Sequence, residues 1–73
     1  MKFQVLSSTE LPSGNHSIHI QSVTDIVVGH KYWIKATKEL AVGEIITLNM
    51  DDLQVINKET KSGKTIRLLI PRI

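Results

Sequence analysis

The sequence predicts a small all-β domain. Its hydrophobic residues, 41% of 73, include one Phe, one Tyr and one Trp, so the core must come from Ile, Val and Leu. Ile and Val suit a pleated, half-buried surface because branching at Cβ restricts χ1, and Leu adds apolar bulk that packs between strands. Apolar and polar residues alternate with period two along several short runs, and Gly, Pro, Asn and Ser separate those runs.

Lys2 to Leu6 opens the first strand, which runs into Ser7-Ser8-Thr9-Glu10 and the turn formers Pro12, Ser13, Gly14 and Asn15, a long loop for a hairpin. From His16 the alternation puts His16, Ile18 and Ile20 on one face and Ser17, His19 and Gln21 on the other. Asp25 to Val28 reads as a strand continuation closed by Gly29. In His30 to Ala36, Tyr32, Ile34 and Ala36 oppose Lys31, Trp33 and Lys35. Thr37 to Val42 is too short for a stable helix and reads as a loop with one turn.

Gly43 starts a strand through Met50, with Ile46, Leu48 and Met50 on the apolar side, and Asp51-Asp52 bends the chain. Leu53 to Ile56 and Thr65 to Ile70 form a hairpin across the polar turn Asn57 to Gly63. In its second arm Ile66, Leu68 and Ile70 share one face, Arg67 lies on the polar face with Leu69, and Pro71 ends the ladder for want of an N–H. Five to six short strands within one domain, residues 1–73, fit a small OB-like partly open barrel.

The chain is too short for two independent cores, and without cysteine it lacks disulfides and thiolate metal sites. Self-association, as a homodimer, is the remaining support for so small a core. The apolar runs fall far below the roughly 20 residues of a membrane helix, and no signal-like segment opens the chain, so a cytoplasmic protein without membrane contact is expected. The formal charge is +2, and eight of the nine Lys and Arg residues lie between positions 30 and 73.

Lys31, Trp33 and Lys35 place an aromatic between two ammonium groups on one strand face, where a base can stack and phosphates can pair. The same pattern suits Trp33 as a core plug or dimer contact with the lysines as edge charges. Lys58, Lys61 and Lys64, with Arg67 on the following strand, form a basic hairpin able to track a phosphate backbone; ordinary surface solvation is the competing reading.

His16 and His19 lie on opposite faces, which rules out joint chelation from regular β geometry, and His16 reads as a partly buried, hydrogen-bonded histidine. Asp51 and Asp52 form no catalytic dyad, and no nucleophile motif or phosphate loop is present. No catalytic residue, cofactor or metal is therefore expected, and binding is favoured over catalysis.

From Val42 onward, Val42-Gly43-Glu44-Ile45-Ile46-Thr47-Leu48-Asn49-Met50, then Asp51-Asp52-Leu53-Gln54-Val55, then Gly63 through Pro71 with Ile66-Arg67-Leu68-Leu69-Ile70, the chain resembles the C-terminal part of filamentous-phage single-stranded-DNA-binding proteins. The resemblance spans residues 42–71 and implies a small OB-like dimer that binds single-stranded DNA cooperatively, without sequence preference, during phage replication. It transfers no individual binding residue, since that family carries several exposed aromatics and this chain has only Phe3, Tyr32 and Trp33.

The function expected is non-specific binding of single-stranded nucleic acid, with DNA favoured, through Lys31, Trp33, Lys35, Lys58, Lys61, Lys64 and Arg67. A phage- or mobile-element-type assembly module that binds a protein through an exposed sheet edge is the alternative.

Overall fold

The computed structural model describes residues 1–24 and 29–72. Six strands form one mixed sheet: β1 (Lys2–Glu10), β2 (His16–Ser22), β3 (Lys31–Ala36), β4 (Ile45–Thr47), β5 (Leu53–Glu59) and β6 (Thr65–Pro71). Their order across the sheet is β4-β1-β2-β3-β6-β5. Every neighbouring pair is antiparallel except β3 and β6, which run parallel with Trp33 opposite Leu68. The expected all-β architecture is present, with the sheet left partly open. The proposed strand at Asp25 to Val28 lies outside the described residues.

The two edge strands, β4 and β5, are consecutive in the chain. Only residues 48–52 separate them, and those include the 3₁₀ turn Met50–Asp52. Six flat strands would hold the edges roughly 24 Å apart, whereas the six peptide steps from Thr47 to Leu53 reach at most about 21 Å. The sheet therefore has to curl, and its hydrophobic side becomes the inside. Asn49 caps the turn by accepting the Asp51 N–H at 3.1 Å, and its Nδ2 donates to Asp52 Oδ2. Arg72 donates from its guanidinium to the Leu53 carbonyl at 2.9 Å, tying the end of β6 to the start of β5.

Inside the curl, Phe3, Val5, Ile18, Ile20, Tyr32 and Leu69 form the buried core. Phe3 and Tyr32 meet edge to face, with ring centroids 5.8 Å apart, the arrangement their opposed edge and face charges favour. Leu40, Leu48 and Met50 pack against this cluster from the connecting segments, and Leu53 does so from the start of β5. In β1 the register shifts between Val5 and Ser7, a bulge that changes which residues face inward and bends the strand between its two partners.

Several boundaries differ from those the sequence suggests. β1 extends to Glu10 and β5 to Glu59, so the hairpin loops shrink to residues 11–15 and 60–64. β4 is only three residues long, and Met50 belongs to the 3₁₀ turn. The larger correction concerns β6. Arg67 shares its face with buried Leu69, while Ile66 and Leu68 are only partly buried on the opposite side. Hydrophobicity within the strand favours burying Ile66, Leu68 and Ile70, but Leu68 is paired with Trp33. Since Tyr32 already points into the core, Trp33 and Leu68 face outward and Leu69 turns inward.

Candidate functional site

Cross-strand register aligns one row of side chains across the outer face. Ser7 pairs with His19, His19 with Trp33, Trp33 with Leu68, and Leu68 with Ile56. At the centre, His19 and Trp33 stack with their rings 4.2 Å apart and 5° from parallel. Burial first, and the neighbouring Lys31 charge second, hold the His19 imidazole below its ordinary pKa. A neutral ring thus covers one face of Trp33 near neutral pH.

Beside this stack lies an open groove of ≈ 390 Å³. Trp33, Ile66, Leu68 and Leu11 supply its apolar surface, and Lys35 and Lys58 bring two cations. No carboxylate is among its described lining residues. Two hairpin turns contribute to its rim with the same bond pattern. Leu11 N–H donates to Asn15 and Gly14 N–H back to Leu11; Thr60 N–H donates to Lys64 and Gly63 N–H back to Thr60. In each, a Ser-Gly pair places glycine at positive φ, +89° at Gly14 and +82° at Gly63. A side chain there would strain the turn. Leu11 and Thr60, the first residues of the two turns, both line the groove.

The structure divides the sequence-predicted site residues among three places. Trp33, Lys35 and Lys58 line the groove. Lys31 and Arg67 line a neighbouring pocket of ≈ 340 Å³ with Gly29, His30 and Thr65. Lys61 and Lys64 are exposed in the β5–β6 turn and line neither cavity. Arg67 does not join Trp33 on one face: its guanidinium sits 5.9 Å from the Tyr32 ring, on the core-facing side of β6. The seven residues therefore divide between two cavities and the exposed β5–β6 turn.

Trp33 lies outside the core cluster. Nothing in the sequence marks Leu11, Thr60, Ile66 and Leu68 as groove residues. The repeated Ser-Gly spacing marks the two turns, but the parallel pairing that exposes Leu68 leaves no local signature. His16 departs from expectation at its buried Nδ1, which makes no hydrogen bond among the described residues. Among the described residues, no group of three His, Cys, Asp or Glu side chains is placed to hold a metal. Nor is any described helix long and apolar enough to cross a membrane.

Comparison with protein-family models, curated proteins and solved structures finds no match.

Proposed function

We propose that this domain binds single-stranded nucleic acid without sequence preference, with DNA as the favoured ligand. The reading rests on one observation above all: a partly exposed Trp33, backed by His19, beside Lys35 and Lys58 in a groove with no carboxylate among its described lining residues. A base can stack against the tryptophan while the lysines neutralise neighbouring phosphates, two contributions that need no base-edge recognition. The resemblance of residues 42–71 to phage single-stranded-DNA-binding proteins supports the same reading, together with a homodimer and a cytoplasmic role in replication, in the host if phage-encoded.

Titrating a single-stranded oligonucleotide while following the sole tryptophan tests the proposal. Saturable quenching whose affinity falls with added salt is expected; no quenching and no salt-dependent affinity overturns it.

The edge strand β5 favours a second reading. Val55 and Ile56 are 46% and 39% exposed on opposite faces of this edge, a surface to which another strand can add. Under this reading the domain is a protein-assembly module. Its partner stays bound after nuclease treatment, and the Trp33 signal shows no salt-sensitive response to oligonucleotide.

A further inference from the structure

The second pocket has a different chemistry from the groove. Because β3 and β6 run parallel, their first residues lie side by side. This brings His30 and Lys31 together with Thr65 and Arg67 around one opening. Antiparallel pairing would set the start of one strand beside the end of the other.

Both walls are held in place. Ser22 N–H donates to the His30 carbonyl at 2.9 Å, and His30 N–H donates to Ser22 Oγ at 3.1 Å. Gly29 N–H donates to the Ser22 carbonyl at 3.0 Å. Ser22 is fully buried, so this anchor belongs to the rigid sheet. Across the opening, Arg67 lies over the face of buried Tyr32, and the His30 ring meets Tyr32 at 6.4 Å. One buried ring thereby restrains two of the nitrogen-bearing side chains. The lining offers two permanent cations, an imidazole and a hydroxyl, with no carboxylate among these residues.

We infer that this pocket is a phosphate site, selective for the dianionic phosphomonoester form. Lys31 and Arg67 bring two positive charges to one opening, and a phosphomonoester carries nearly two negative charges at neutral pH, against one for a phosphodiester. Arg67 supplies a forked donor set suited to two phosphate oxygens, Lys31 a point charge, and Thr65 a hydroxyl donor. The phosphate can belong to the end of a strand or to a free small molecule. Only the strand-end source rests on the nucleic-acid reading of the groove.

Titration of the whole chain with inorganic phosphate, followed by amide NMR against a chloride control of equal ionic strength, tests the site. Saturable shifts at His30, Lys31, Thr65 and Arg67 are expected, with affinity reduced about tenfold in Arg67→Gln and in Lys31→Gln. Both side chains are exposed, and Lys31→Gln leaves the contact between Arg67 and Tyr32 in place if Arg67→Gln disturbs the fold. Shifts that do not saturate, that chloride reproduces, or that persist unchanged in folded variants overturn the proposal.

A second arm compares oligonucleotides with and without a 5′-phosphate. Tighter binding of the phosphorylated strand assigns the phosphate to a strand end; equal binding, with inorganic phosphate still saturating, assigns it to a free phosphomonoester. Loss of Trp33 quenching with retained phosphate shifts defeats the groove reading and leaves this site standing.

Discussion

Trp33→Ala separates binding from folding at the centre of the outer face. His19 covers one face of the indole at 4.2 Å, so one base at most can stack directly on the other. Stacking contributes about 1–3 kcal/mol per base, so the variant should bind single-stranded DNA roughly 5- to 150-fold more weakly. The stability cost should be smaller than for a core residue. Removing a fully buried large aromatic costs about 3–5 kcal/mol. Trp33, however, is partly exposed, stacks on His19 and lines the groove beside its cross-strand partner Leu68, which places its cost at about 1–2 kcal/mol on the same scale. Because the variant has no tryptophan, binding must be read from the anisotropy of a labelled oligonucleotide. Trp33→Phe, which keeps an aromatic face, should recover most of the affinity. A folded Trp33→Ala protein that binds within about twofold of the parent would refute the stacking argument.

Lys35→Gln and Lys58→Gln should each reduce the steepness of log affinity against log salt by about 0.7 if each lysine meets one phosphate; unchanged slopes would remove these residues from the interface. Phe3→Ala should cost about 3–5 kcal/mol, since Phe3 is fully buried against Tyr32. A chain of this length commonly has only roughly 4–11 kcal/mol in total, so urea denaturation should show a severely weakened or unfolded variant, and a loss below about 1 kcal/mol would contradict the assigned core. His19 adds an acid-sensitive component to stability. Its folded pKa lies below the ordinary value of 6.5, so the unfolded chain takes up the proton first as pH falls. The His19 contribution is complete above 6.5, declines below it, and is lost once pH passes the lower folded pKa. His19→Gln should flatten this part of the urea-midpoint profile, and parallel profiles for parent and variant would refute the linkage.

Much of the fold was legible because strand periodicity is local. The alternation from His16 to Gln21 and from Lys31 to Ala36 identifies which residues of β2 and β3 face inward, and Ile18, Ile20 and Tyr32 are indeed buried. The turn chemistry at Gly14 and Gly63 was also visible, although strand ends moved because Ser7 to Glu10 and Asn57 to Glu59 gain partners that their polarity does not advertise. Polar residues can continue an edge or outer face when the backbone ladder satisfies their N–H and C=O groups.

The sequence by itself determined a cysteine-free β chain, the two faces of its middle strands, and Trp33 between two lysines. Tertiary structure alone decided which face of β6 is buried and which basic residues meet. In β6 both faces carry large apolar residues, Ile66, Leu68 and Ile70 on one and Leu69 on the other, so alternation divides the strand without choosing a face and the neighbouring strand chooses. Pairing Leu68 with Trp33 turned Leu69 into the core and brought Arg67 over Tyr32. The same parallel pairing separated the apolar groove from the basic pocket, because it sets the starts of two distant segments side by side.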